Sequence, residues 1–251
     1  MVQAAPVKAS VSVDTYPTSL QRLIHILQQT PDFTPEQIAT MVGDANVSVQ
    51  DLLPWADLNH PISDSYGRQL VFNGGYFEIM VMSWLPGDFS AIHDHGATQW
   101  GAVQCFGAAE HYIYTFKQGG LCTLEPAHYS PGMVHAVDHS LIHQMGNPGN
   151  EPFLSLHVYG CQGAKGSITG NARIFDLFEG SIQYTDGGVF FGLPEDQINL
   201  KRYGLEADRE TTLRHHQLMC DRIQRILKTQ QNDDLNHTLT LLQQQIQQLS
   251  L

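Results

Sequence analysis

Basic residues are scarce in this chain. Thirteen Lys plus Arg stand against 25 Asp plus Glu, a formal charge of −12, and such a balance repels phosphate backbones and anionic lipid. Binding to nucleic acid or to a membrane surface is therefore set aside. Long apolar runs are missing too: no window approaches the ~20 apolar residues that a spanning helix needs. The opening Met1-Val-Gln-Ala-Ala-Pro has neither the basic start nor the apolar stretch of a secretory signal. A soluble, cytoplasmic protein is expected. Cysteine is sparse, with Cys105, Cys122, Cys161 and Cys220 scattered and no CxxC pair. This fits a reducing compartment and argues against a disulfide frame or a thiolate zinc site. Disorder is excluded, because 42% of the 251 residues are hydrophobic and a chain of this size can bury a core. What is plentiful is histidine: 13 in all, eight of them between His93 and His157.

Residues 1–12 read as a loose polar leader. From Ser19 to Met41, Leu20, Leu23, Ile24 and Leu27, then Ile38 and Met41, recur at helical spacing. Thr34-Pro35-Glu36 supplies a cap followed by Pro at the first helical position. Two or three short helices are expected before Pro54. After Pro61 the texture changes to short mixed segments broken at Asn73-Gly74-Gly75, Pro86-Gly87-Asp88, Gln118-Gly119-Gly120, Pro131-Gly132 and Asn147-Pro148-Gly149. Candidate strands include 76–85, 90–95, 100–106, 110–116 and 153–159, a cadence that predicts a mainly β fold of the cupin type, a double-stranded β-helix or jelly-roll barrel. Residues 13–165 are read as this barrel with its N-terminal helices, and 166–251 as a C-terminal extension, a hairpin followed by helices. In the last helix Leu235, Leu239, Leu242, Ile246 and Leu249 form one seam that Asp234 could cap. Packing on the body is the preferred destination for that seam, and pairing with a second copy of the chain is the other. His215-His216 is read as a solvated patch, and Met80 and Met82 as part of a strand face.

Three short motifs bear on chemistry. His93 and His95 are one residue apart, so in an extended segment both imidazoles point to the same face and can grip one metal ion. In Phe153-Leu-Ser-Leu-His-Val-Tyr, Ser155, His157 and Tyr159 share one face while Leu156 and Val158 share the other. Polar groups on an inward face need partners, and a chain from Ser155 through His157 would orient the Tyr159 hydroxyl toward a central site. Tyr66 and Arg68 also share a face. An inward arginine calls for an anionic partner, and its planar fork suits a carboxylate. Further histidines, His135, His139 and His143, lie close enough to supply a third ligand.

Taken together, Tyr66-x-Arg68, His93-Asp94-His95, Gly107, His143 with Asn147 four residues on, and Ser155-Leu-His-x-Tyr resemble cysteine dioxygenase, a thiol dioxygenase of the cupin superfamily. The resemblance covers roughly residues 20–165, in the same order and near the family's spacing. It implies a non-haem Fe(II) held by His93, His95 and His143, the last chosen over His135 and His139 because it fits the family's His-x-x-x-Asn pattern. It further implies that Arg68, with Tyr66 nearby, binds the substrate carboxylate, and that Ser155, His157 and Tyr159 form a hydrogen-bonded triad beside the metal. The sequence departs from the family at Trp100, which stands five residues after the second ligand where animal members carry a cysteine cross-linked to the triad tyrosine. A bulky indole there is expected to reshape the pocket near Tyr159. The region beyond 166 is also longer than the family's.

The partners implied are a small-molecule thiol and O2. No carboxylate follows the His-x-His pair in Gly96-Ala97-Thr98-Gln99-Trp100, so the implied ligand set is three neutral imidazoles rather than two histidines and a carboxylate. The expected activity is oxidation of L-cysteine to cysteine sulfinate. Alternatives are another thiol such as 3-mercaptopropionate, a non-catalytic metal-binding cupin serving as a sensor or assembly module, and a zinc or manganese cupin of isomerase type. Cys161, two residues beyond Tyr159, could approach the pocket rim, and no functional role is expected of it.

Overall fold

Period-two alternation builds the central wall of the molecule. A computed structural model of the chain describes residues 12–163 and 167–251; the expected leader, 1–12, lies outside the described residues except for Ser12. Strand β2 (Phe77–Trp84) sends Ile79 and Val81 to one side and Met80, Met82 and Trp84 to the other. Strand β8 (Phe153–Gly160) pairs antiparallel with β2 and does the same, with Leu154, Leu156 and Val158 outward and Ser155, His157 and Tyr159 inward. With β1 (Gly67–Asn73), β3 (Trp100–Cys105) and β6 (Val134–Asp138) these strands form a five-stranded sheet in the order β1-β2-β8-β3-β6.

The outward apolar face of this sheet is covered by the N-terminal helices. Helix α1 (Thr18–Leu27) buries Leu20, Leu23, Ile24 and Leu27, each worth roughly 1.5–3 kcal/mol of transfer free energy. Helix α2 (Pro35–Ala45) starts in a capping box in which Thr34 and Gln37 satisfy each other's backbone N–H. It stops at Asn46, whose φ of 52° turns the chain out of the helix. A single turn, α3 (Val49–Leu52), is capped likewise by Ser48 and Asp51.

The opposing sheet is assembled from two halves. Strands β4 (Ala109–Lys117), β5 (Gly120–Tyr129) and β7 (Ile142–Gly146) pair in the order β5-β4-β7. Strands β9 (Ala172–Asp176), β10 (Ser181–Thr185) and β11 (Leu200–Tyr203) pair in the order β11-β10-β9. Between them runs the segment 89–95, which sequence reading made a strand. It forms only isolated bridges, Phe89 with Gly146 and His93 with His143 on one side and His93 with Ile174 on the other. Backbone bonds from Phe175 N–H to Ile92 O (2.9 Å) and from Asp94 N–H to Arg173 O (3.0 Å) complete the tie. The two sheets enclose a jelly-roll interior, the cupin-type double-stranded β-helix. The hairpin beyond 166 extends the second sheet, and β11, which sequence reading placed in a helical region, is its third strand.

Helix α4 (Arg209–Leu227) begins at Asp208, which accepts from Thr211 N–H, and α5 (Asp233–Leu249) begins at Asn232, which accepts from Leu235 N–H. The cap of α5 is thus Asn232 and not Asp234. Along its seam Leu242 is fully buried, and Leu235, Leu239 and Ile246 pack with it against the main core. His215 and His216 are each only 2% exposed, which overturns the solvated patch. They face inward from α4, His215 against Phe191 and His216 against Phe178. No helix among the described residues is long and apolar enough to cross a membrane.

Candidate metal centre

His93 and His143 are cross-strand neighbours. Each donates its backbone N–H to the other's carbonyl at 2.9 Å, the arrangement that puts two side chains on the same face of an antiparallel pair. His95, two residues on, reaches the same point. The Nε2 of His143 lies 3.1 Å from that of His93 and 3.2 Å from that of His95. All three rings are buried. Asp94, between the ligands, turns the other way: its carboxylate takes Arg173 Nε at 2.5 Å and the backbone N–H groups of Gly96 and Arg173, pinning the turn to β9.

The tautomers follow from the partners. His93 Nδ1 lies 2.9 Å from Ala91 O, and a carbonyl only accepts, so the proton is on Nδ1 and Nε2 carries a lone pair. His143 Nδ1 lies 2.8 Å from His111 Nε2, which leaves its own Nε2 free for the centre once Nδ1 donates. Burial holds the rings uncharged: the His93 pKa falls to about 4, and those of His95 and His143 fall well below the ordinary value, with the neighbouring histidines adding to the effect.

The bare Nε2 atoms of His93 and His143 repel at 3.1 Å unless a proton or a cation lies between them, burial disfavours an added proton, and the His95 Nδ1 meets no partner among the described residues. These residues therefore fit a metal ion. The three candidate ligand nitrogens all lie within 4.8 Å of one another, close enough for one ion to be shared among them. Neutral imidazoles suit zinc, copper, iron and nickel alike.

The inward face of β8 holds a directed hydrogen-bond chain. Trp84 Nε1 can only donate, and it gives its proton to Ser155 Oγ at 2.8 Å. Ser155 Oγ lies 2.7 Å from His157 Nε2, and His157 Nδ1 lies 2.8 Å from the Tyr159 hydroxyl. The serine proton has His157 Nε2 as its one acceptor among the described residues, so Nδ1–H of His157 donates to Tyr159. The tyrosine O–H is left to donate into the interior. Burial pushes the phenol pKa far up and drops that of His157 to about 3, so the chain stays uncharged.

Two small adjoining voids, about 40 and 30 Å³, occupy the interior and share Tyr66, Met82, His93 and Tyr159 in their walls. Each has room on the order of a few water molecules. Arg68 and His95 border the first, and Trp84, His143 and His157 border the second. Met80 and Met82 are thus cavity wall as well as strand face. Arg68 is half-buried, and its guanidinium makes no hydrogen bond or ion pair among the described residues, although the charge of the buried Glu78 reaches it. Tyr66, fully enclosed, accepts from Val189 N–H at 3.2 Å, and Gly187 and Val189 close one side of the first void. The stretch beyond 166 therefore supplies part of the site.

Trp100 does not intrude. Its indole faces the N-terminal helices, donates to Pro31 O at 3.1 Å and packs edge-on to Phe33. The residue opposite Tyr159 is Gly101, where a Cβ would come within 2.8 Å of the phenol ring. Cys161 lies outside both voids, with its thiol on Gln162 O. His135 stacks on Tyr129 at 3.8 Å, and His139 is held on Thr98 O at 3.0 Å, away from the converging nitrogens. Sequence reading missed His111, Trp84 and the 187–191 wall. The signal for His111 was there in the inward alternation of Ala109 and His111 on β4.

No family model matches the chain. Among solved structures, a protein from Thermus thermophilus is 22% identical over 46% of this chain and 98% of its own, with a TM-score of 0.36. A Klebsiella pneumoniae protein with a double-stranded β-helix domain is 19% identical over 47% and 90%, TM-score 0.35. A cupin 2 conserved barrel domain protein from Salinispora arenicola is 17% identical over 41% and 82%, TM-score 0.33. Likeness at this level says nothing about substrate, and the cupin-type barrel rests on the sheets themselves.

Proposed function

We propose that the chain is an Fe(II)-dependent thiol dioxygenase that adds both atoms of O2 to the sulfur of a small carboxylate-bearing thiol, L-cysteine foremost. The observation that carries this reading is a pair of adjoining voids walled by three converging uncharged imidazoles, with the Arg68 guanidinium bordering the first of them and no carboxylate among the three metal-facing residues. Its resemblance to cysteine dioxygenase supports iron as the metal. Iron(II) held by His93, His95 and His143 would keep its full positive charge, favour a thiolate over a thiol, and supply the meeting point for sulfur and O2.

The protein's own residues do the rest. Arg68 would take the carboxylate bidentate, which fixes the substrate by its far end and lets the sulfur reach the histidines. Met80, Met82 and Val189 exclude water from the sulfur. Tyr159, whose oxygen already accepts from His157, has a proton to donate to a developing oxygen or thiolate charge. The net change is R–SH plus O2 to R–SO2H: sulfur loses four electrons, O2 gains them, and the proton count is unchanged.

Iron-loaded protein prepared without oxygen should consume O2 only after a thiol is added, and the product should be heavier by two oxygen atoms. Retained metal with no uptake on cysteine, 3-mercaptopropionate or cysteamine would overturn the proposal in favour of a non-catalytic metal-binding barrel.

A further inference from the structure

A second cavity, of about 370 Å³, lies between α4, α5 and the end of the second sheet. Its volume falls in the range of small-molecule sites, ~300–1,000 Å³. On α4, Met219, Arg222, Ile223 and Ile226 face it, spaced 3, 1 and 3 as one helical stripe. Phe178, Phe191 and Leu235 complete an apolar lining, and the rim carries the exposed Ser63 and Gln230. It is separate from the metal cavity, and the strip 187–192 divides them, with Gly187 and Val189 on one side and Phe191 and Gly192 on the other.

The anomaly is Arg222. A guanidinium in an apolar helix stripe is only 7% exposed. It has five donors, yet its one hydrogen bond among the described residues is from Nη2 to the Ser63 carbonyl. No carboxylate pairs with it. The nearby Asp88 is already occupied by Arg225, by Leu85 N–H and by the His60 ring. Burial draws the Arg222 pKa down to about 10, and the charges of Asp88 and Asp64 offset only part of that cost. An unpaired charge in such a setting is strongly unfavourable and is relieved by an anion. The other end of the cavity is bounded by Asp176 and Glu179, whose carboxylates are spent on backbone N–H groups, Gln183 and Lys201. Those carboxylates repel a second negative charge.

We propose that this cavity is a binding site for a small monocarboxylate with an apolar body, the carboxylate seated on Arg222 and the body against Phe178, Phe191, Met219 and Ile223. This site is independent of the chemistry assigned to the metal centre.

The test is titration calorimetry of the metal-free full chain with 3-phenylpropionate, alongside 3-phenylpropanol and phenylsuccinate. Saturable one-to-one binding of the monocarboxylate is expected, at least tenfold tighter than either comparison compound. Arg222→Gln should weaken it at least tenfold. Because Arg222 also holds the Ser63 carbonyl, Ile226→Trp is the second variant: it keeps the guanidinium and fills the cavity, and it should abolish binding while the circular dichroism spectrum stays unchanged. His93→Ala should leave the affinity as it was. No saturable binding, equal binding of acid and alcohol, full affinity in Ile226→Trp, or loss in His93→Ala would each overturn the site.

Discussion

The Nδ1 of His143 lies 2.8 Å from the Nε2 of His111. His111 sits diagonally across the β4–β7 ladder, where Ile113 is directly opposite His143, and burial holds its pKa near 3. It is therefore held uncharged, and with its proton on Nδ1 its Nε2 accepts from His143 Nδ1–H and fixes the His143 ring with Nε2 toward the centre. Groups that orient a ligand ring in this way are worth ~10–100-fold in metal affinity. His111→Phe should lose metal to a chelator that much more readily than the parent, while His135→Phe, one ring further out, should not.

The chain Trp84, Ser155, His157, Tyr159 predicts a graded loss. Tyr159→Phe removes the proton that this chain aims into the interior and should lower kcat by about 100-fold with metal content unchanged. Trp84→Phe leaves Ser155 free to turn and should cost less. Oxygen uptake at saturating thiol, with iron measured in the same samples, separates the two.

Arg68 has an open guanidinium beside the first void. Its removal deletes a charged hydrogen bond worth ~1.5–3 kcal/mol, so Arg68→Ala should raise KM for cysteine roughly 10–100-fold. Cysteamine, which lacks the carboxylate, should respond little. An equal rise for both thiols would show that Arg68 shapes the cavity without holding the substrate.

His215 gives a pH prediction free of the metal. Burial, then His216 and Arg214, lower its pKa to about 3, against ~6.5 in an unfolded chain. Between those values the unfolded state binds the extra proton. The stability that His215 lends is therefore complete above pH 6.5 and is lost as the pH falls toward 3, at up to about 1.4 kcal/mol per pH unit. His215→Phe should flatten the acid limb of urea midpoints measured on metal-free protein.

Gly101 offers a fifth mutational test. A Cβ there meets Val158 O at 2.6 Å and the Tyr159 ring at 2.8 Å, and the backbone oxygen cannot yield. Gly101→Ala should displace the phenol and reproduce part of the Tyr159→Phe defect, whereas Trp100→Phe should leave turnover intact and lower only thermal stability through the lost bond to Pro31.

What could be read from the sequence was whatever repeats at short range. The alternation of Leu154 to Tyr159 on β8 and the single-residue spacing of His93 and His95 place side chains on faces without knowledge of the fold. Contacts between strands could not be read that way. His111 owes its place to ladder register, and one residue of register decides that Gly101 and not Trp100 faces Tyr159. His215 and His216 looked solvated because α4 is rich in Arg and Gln, yet two of those polar positions turn inward. Asn232 outcompeted Asp234 as a cap because the helix starts two residues earlier than its apolar seam suggests.

The ribbon that carries His93 is wedged between β7 and β9, so one of its two flanks belongs to the C-terminal hairpin. Excising that hairpin would leave His93 on an open edge, and the imidazole cluster would lose its backing. A shortened chain that ends before β9 should therefore fail as a metal binder even though every ligand is still present in it.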